Sequence, residues 1–389
     1  MIVRVLVLVC GLSLLGEAAL SAQSLFSSAG LGLPLEAVDG RARSLGNLGL
    51  GLSGGALLPS DPAAAARLRL PTGVLVAQPS WADASDGTET HYFRGTRFPL
   101  LAAAYPVFGG MFSVQFASVM DQNFAGVRES TVSVGGAPLA ASDSFEQAGS
   151  ISSMNVGFAR MVTEETSVGL TVGRYTGALD RTFIRTIDSG VSGNAVQPYV
   201  SAGSWSYAGY LVTGGVATRL VDLVNLSASA TWSTALDAEA SATTVGDDGS
   251  FDVPLQLRLG ASAALSRGLT LNASAVRADW SGIAGDLNGG TQARAATAFG
   301  VGVELSQARL FGRDAPLRLG FRHAGLPFTV GSEKAVERAF SGGVGLTLNQ
   351  TGEFVLGSMD LGLERGRRSA GALTENFWRA TVSVRLAGL

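Results

Sequence analysis

Few residues in this chain are of types and spacings that do chemistry. "GLSGG" (Gly51 to Gly55) spells the G-x-S-x-G in which a serine nucleophile stands on a sharp turn, and "GLGLSG" (Gly49 to Gly54) spells the phosphate-cradling G-x-G-x-x-G. The first needs a strand-to-helix turn in an α/β sheet and the second a βαβ unit. The Gly- and Ala-rich segment around them offers neither, and 52 glycines make such matches by chance. His91 and His323 are the only histidines. Asp279, Asp286 and Glu333 are the acids that would have to orient one of them, but nothing in the spacing links them. Metal sites need clustered ligands, and none are clustered here. Cys10, the single cysteine, lies in the N-terminal apolar run. Thiol catalysis, disulfides and zinc-cysteine sites fall with it. The residues point to no enzyme, no metal and no cofactor.

The charged residues are more informative, because of what surrounds them. In "ENFWRATVSVRL" (Glu375 to Leu386), Trp378, Ala380, Val382, Val384 and Leu386 alternate with Arg379, Thr381, Ser383 and Arg385. "VPLQLRLGASAAL" sets Val253, Leu255, Leu257 and Leu259 against Gln256, Arg258 and Gly260, and "LRLGFR" sets Leu317, Leu319 and Phe321 against Arg318, Gly320 and Arg322. Period two is the signature of strands with two unlike faces. About fourteen such strands are predicted between residue 72 and the end. Most have nine residues or more, the length a tilted strand needs to cross a bilayer. Long connections (82–96, 121–149, 178–202, 237–252) alternate with tight turns (106–109, 164–165, 221–222, 267), with one soft case at 307–314. Outer-membrane barrels show this asymmetry, with short periplasmic turns and longer extracellular loops.

Composition agrees. Hydrophobic residues make up 46% and charged residues 15%, low for a soluble domain, yet no later stretch is apolar enough for a spanning helix. The net charge of -3 leaves no footprint for nucleic acid. A soluble β-sandwich or β-helix fits the long strands and alternating loops poorly. The fold class expected is all-β, a transmembrane antiparallel barrel of about fourteen strands with an N-terminal plug segment. Trp81, Tyr105, Tyr175, Trp232, Trp280 and Trp378 fall near strand ends, where aromatic girdles belong. On this phase Arg258, Arg318, Arg322, Asp360, Glu364, Arg379 and Arg385 face the lumen, because arginine on the lipid face costs roughly 2–4 kcal/mol at mid-membrane. Their mixed signs suit cross-links to the wall or plug better than an ion path.

The first 22 residues, one arginine followed by an apolar run and small residues, read as a secretory signal peptide. Residues 23–71 show no period and are too few for a domain of their own. They are expected to plug a barrel formed by residues 72–389.

"ARSLGNLGLGLSGGALLPSDPAAAARL", "PLRLGFRHAGLPF" and "MDLGLERGRRSAGALTENFWRATVSVRL" resemble the N-terminal hatch and closing strands of the FadL-type long-chain fatty-acid transporters of the outer membrane and their PorV-like relatives. Asp61-Pro62-Ala63 stands where that family usually has Asn-Pro-Ala, and the chain ends in Leu389 rather than a terminal aromatic. The resemblance implies a plugged barrel in the bacterial outer membrane that passes hydrophobic, fatty-acid-like molecules. Its implied partners are outer-membrane lipid, a hydrophobic small molecule and, during biogenesis, the barrel-assembly machinery. Phe124, Leu139, Phe145, Leu326 and Phe328 are candidates for the ligand pocket. A non-transporting barrel serving secretion or surface display, and a general porin, are the alternative functions.

Overall fold

The computed structural model describes residues 24–87, 89–134, 136–188, 197–220, 223–283, 287, 291–310, 313–352 and 354–388. The leader expected over residues 1–22 lies outside them, as does Asp286.

Alternating side chains become a closed wall of fourteen antiparallel strands. They are β1 (Thr72–Ser85), β2 (Thr90–Val107), β3 (Gly110–Asp121, resuming as Phe124–Val134), β4 (Ala137–Met161), β5 (Thr166–Ile187), β6 (Tyr199–Leu220) and β7 (Val224–Ser233, with Leu236–Ala240 beyond). There follow β8 (Gln256–Ser266), β9 (Leu269–Asp279), β10 (Ala295–Leu305), β11 (Leu317–Gly325), β12 (Val336–Thr351), β13 (Phe354–Ala370) and β14 (Leu373–Ala387). Pairing runs from each strand to the next, and β14 returns to β1 from Thr72↔Ala387 to Ser85↔Thr374. Closure satisfies the backbone groups that an open edge would leave bare in hydrocarbon.

The outer face is apolar. Leu259, Leu319 and Phe340 are 64%, 66% and 70% exposed, which only a lipid solvent makes favourable in such numbers. Inward positions hold small and polar residues such as Ser227, Ser229, Thr231, Asn272 and Ser274, all buried.

Two expectations from the sequence need correction. The segments 82–96, 121–149 and, among the described residues, 178–202 are mostly strand rather than loop. β4 is 25 residues long, and β5 and β6 are 22 each, at least twice the roughly 9–11 a bilayer demands. Polar residues on both faces hid these extensions, because period two needs unlike faces to be seen. The aromatic girdle also loses two members. Trp81, Tyr105, Trp232 and Trp378 face outward, but Tyr175 and Trp280 are buried inside the barrel.

The segment before β1 fills the lumen. Ser24 and the backbone N–H of Leu25 bind Glu375 near the outer end of β14. A two-residue strand, Leu33–Pro34, pairs with Met120 and Asp121 of β3. A single helical turn, Gly40–Ser44, lies against β11 to β14, its first turn capped by Asp39 Oδ1 accepting from Ala42 N–H at 2.8 Å. A 3₁₀ turn, Pro62–Arg67, capped by Asp61, lies against β4 to β6. Glycines in the wall let this backbone come close. A Cβ at Gly300 would strike the carbonyl of Gly46, one at Gly320 the backbone of Leu45, and one at Gly260 that of Leu50.

Candidate functional site

The wall is not paired everywhere. The β2–β3 ladder runs from Val107↔Gly110 to Leu100↔Ala117 and stops. Above that point β2 continues to Thr90 on β1 alone. β3 swings away, breaks at Gln122–Asn123 and continues on β4 alone. Two strand edges therefore diverge, leaving a lateral breach in the barrel.

Local hydrogen bonds set the break. Asp121 Oδ1 accepts from the backbone N–H and side-chain amide of Asn123 at 3.1 and 2.7 Å, a turn these short polar residues favour. The plug occupies the vacated edge: Leu33 and Pro34 pair with β3, and Leu35 N–H donates to Val119 O at 2.8 Å. Across the breach Arg97 of β2 forms an ion pair with Asp121 at 2.6 Å, both buried.

Behind the breach lies an apolar chamber. Met120 of β3, Ile151 of β4, Tyr175 and Leu179 of β5, Tyr207 and Leu211 of β6, Trp280 after β9, and Phe328 after β11 form one buried cluster with Leu31 of the plug. Trp280 and Phe328 meet edge to face, ring centroids 5.7 Å apart. The two tyrosines present rings rather than hydroxyls, because Tyr175 Oη is bonded to Ser233 Oγ at 2.9 Å and Tyr207 Oη accepts from Gln122 at 3.0 Å. A cavity of about 170 Å³ opens between this cluster and the plug, reaching Met120, Tyr175, Leu211 and Trp280 on one side and Pro34, Leu35 and Leu48 on the other, with Arg258, Arg322, Glu337 and the plug's Glu36 forming its charged floor.

Around the cavity's charged floor and along β10 to β14, the plug is held by charge. Arg41 binds Glu304 at 2.8 Å, and Glu304 and Asp360 both bind Arg318 at 2.6 Å. Arg258 binds Glu36 of the plug at 2.9 Å, and Arg385 binds Asp39 at 3.5 Å. Glu364 gathers Arg322 at 2.8 Å, Arg379 at 3.3 Å and the plug's Arg43 at 3.8 Å. Arg322 also meets Glu337 at 2.5 Å, and Arg368 bridges Glu337 and Glu375. Phe377 lies between the guanidinium groups of Arg368 and Arg379 at 4.3 and 4.8 Å. Removing one member of such a buried set leaves an uncompensated charge, a loss of about 3–5 kcal/mol.

No protein-family model matches the sequence, and comparison with curated proteins finds no relative. Solved structures match over nearly the whole chain. The toluene transporter TbuX of Ralstonia pickettii superposes with a TM-score of 0.58 at 15% identity, covering 91% of this chain and 99% of its own. The Pseudomonas putida toluene transporter TodX gives 0.57 at 14%, covering 92% and 99%. A Pseudomonas aeruginosa FadL homologue gives 0.59 at 11%, covering 92% and 100%. The chain has the FadL-type barrel fold.

Within this FadL-type barrel the residues singled out from sequence are placed as follows. Arg258, Arg318, Arg322, Asp360, Glu364, Arg379 and Arg385 all point into the lumen and join the ion-pair sets above. Of the five apolar pocket candidates, Leu326 lines the cavity and Phe328 meets Trp280 edge to face. Phe124, Leu139 and Phe145 sit on the outer extension of β3 and β4, where Phe145 packs on Phe183 at 4.9 Å. In the plug motif, Asp61 caps the 3₁₀ turn through Ala64 N–H at 3.2 Å, Pro62 opens it, and Ala63 is fully buried. His91 is exposed beside Glu89, while His323 lies against Phe299 with ring centroids 5.3 Å apart. The GLSGG segment is plug backbone, with Ser53 held by Arg41.

Sequence reasoning missed the chamber's principal side chains, Met120, Tyr175, Leu211 and Trp280. A signal for Tyr175 existed. Ser167, Gly169, Thr171 and Gly173 are the small, polar phase of β5, and Tyr175 continues that phase rather than the lipid-facing one.

Proposed function

We propose that this barrel passes small hydrophobic molecules, of the size of a single aromatic ring, from the outside through the chamber and out of the lateral breach. One observation carries the reading: an apolar chamber lies directly behind a stretch of wall whose ladder is missing. A solute leaving sideways avoids the ion pairs among Arg41, Glu304, Arg318 and Asp360 toward the periplasmic ends of β10 and β11, where mixed charges hold water and resist apolar transfer. Size supports the ring-sized class over an extended fatty-acid chain. The cavity of about 170 Å³ is close to the roughly 150 Å³ that suffices for benzene, and well below the ~300–1,000 Å³ of sites that enclose larger ligands. The toluene transporters of the same fold point the same way. Leu326 and Phe328 serve as ligand contacts in this reading, and the lumen charges as plug anchors.

The test is uptake of labelled toluene by cells with intact lipopolysaccharide and no other such channel. Cells carrying the protein should take it up faster than cells with an empty vector. Ala298→Phe with Ala324→Phe, which fills the cavity from β10 and β11, should cut that gain about tenfold while the folded barrel still shifts on an unheated gel. Equal uptake with and without the protein would end the transport reading. Recovery of a tightly bound secretion component would then favour the anchor, and steady ion conductance of the intact protein the porin.

A further inference from the structure

The outer face of β11 to β14 carries a second feature, independent of what crosses the lumen. Cross-strand pairs place Arg338 of β12 directly opposite Arg367 of β13, and His323 of β11 beside Arg338. One row lower, Phe340, Arg365, Trp378 and Trp81 lie in register across β12, β13, β14 and β1. Arg365 stacks on Trp378 at 4.8 Å. All three arginines are exposed, and among the described residues none of them has a carboxylate partner. Asp83, the acid on the same rows, is held by the side-chain amide of Asn376 at 3.0 Å.

Like charges directly opposed on a sheet repel, so this pairing favours whatever brings negative charge to it. Height says what that is. From Phe354 at the periplasmic end of β13, through the outward Met359, Leu361 and Leu363, Arg365 stands about 25–30 Å up the membrane normal at ~3.3 Å per residue and the usual strand tilt. That is the thickness of the apolar band, and Trp81 and Trp378 mark the same level. Guanidinium forks at this height face headgroups, not bulk water, and suit phosphate bidentately.

We infer that Arg338, Arg365 and Arg367 form a docking site for a phosphorylated glycolipid of the outer leaflet, with Trp378 and Phe340 against its acyl–sugar boundary. Detergent-purified protein should bind diphosphorylated lipid A, measured by native mass spectrometry, at least tenfold more tightly than the enzymatically dephosphorylated lipid. R338Q/R365Q/R367Q should lose that preference, whereas Arg174→Gln, lipid-facing on β5 across the barrel, should keep it. Equal binding of the two lipids to the parent protein would overturn the proposal without recourse to any variant. So would a triple variant that folds and still discriminates. Competition by millimolar inorganic phosphate alone would reduce the patch to a free-anion site and also defeat it.

Discussion

At the residue scale, Asp61 shows how a single buried acid ties the plug to pH. Its Oδ1 caps the 3₁₀ turn and Oδ2 accepts from Gly51 N–H at 3.3 Å, with Ser227 also donating to it. Burial pushes its carboxyl above the ordinary value despite those hydrogen bonds. The folded plug therefore holds a proton that the unfolded segment has already released. Stability falls as pH rises through the ordinary aspartate value, near ~3.9, and the loss is complete once the raised folded value is passed. Asp61→Asn keeps the cap oxygen and removes the ionisation. Hydrogen exchange of the plug amides should show protection that declines from pH 4 to pH 8 in the parent and stays level in the variant. Asp61→Ala should lose about 1 kcal/mol of plug stability relative to Asp61→Asn at either pH, the worth of the cap oxygen. Parallel profiles for parent and Asn variant would sink this account. The sequence motif marked Asp61 as unusual. It gave no sign that Gly51 and Ser227 would surround it, because those contacts come from another part of the plug and from the wall.

At the element scale, the strands that face lipid on one side and lumen on the other were legible from alternation alone, and so was the inward phase of Arg318, Arg322 and Glu364. The outer halves of β4 and β5 were not, because water bathes both faces and selects no period. The breach was equally hidden, since a missing ladder changes no side chain's chemistry. Its trace is only the Asp121-Gln122-Asn123 cluster. Plug and wall are fitted by glycine. Gly300 of β10 faces the carbonyl of Gly46, whose φ of +61° itself disfavours a side chain. Gly300→Val should therefore push the plug off the wall without unmaking the barrel. In planar bilayers the parent should conduct little, while the variant should conduct like a protein lacking residues 24–71. A variant as quiet as the parent would show that the contact is not needed to seat the plug.

At the scale of the whole molecule, two solvents are separated by one sheet, and the chain spends its charge accordingly: ion pairs inside, leucine and phenylalanine outside, and outward arginines such as Arg338, Arg365 and Arg367 at the rim. The seam adds a constraint on timing. β1 and β14 are neighbours in space but stand at opposite ends of the folded sequence. The first strand cannot find its partner until the last has been made, so the polypeptide must travel as an unfinished ribbon and wait. Contacts so distant along the chain slow folding and leave the ribbon open to aggregation meanwhile. A chain stopped before Leu373 should therefore never give the protease-resistant, heat-shifted band of the finished cylinder, however sound its other thirteen staves. The fifteen residues of β14 act as the clasp, and the wait ends when they are made.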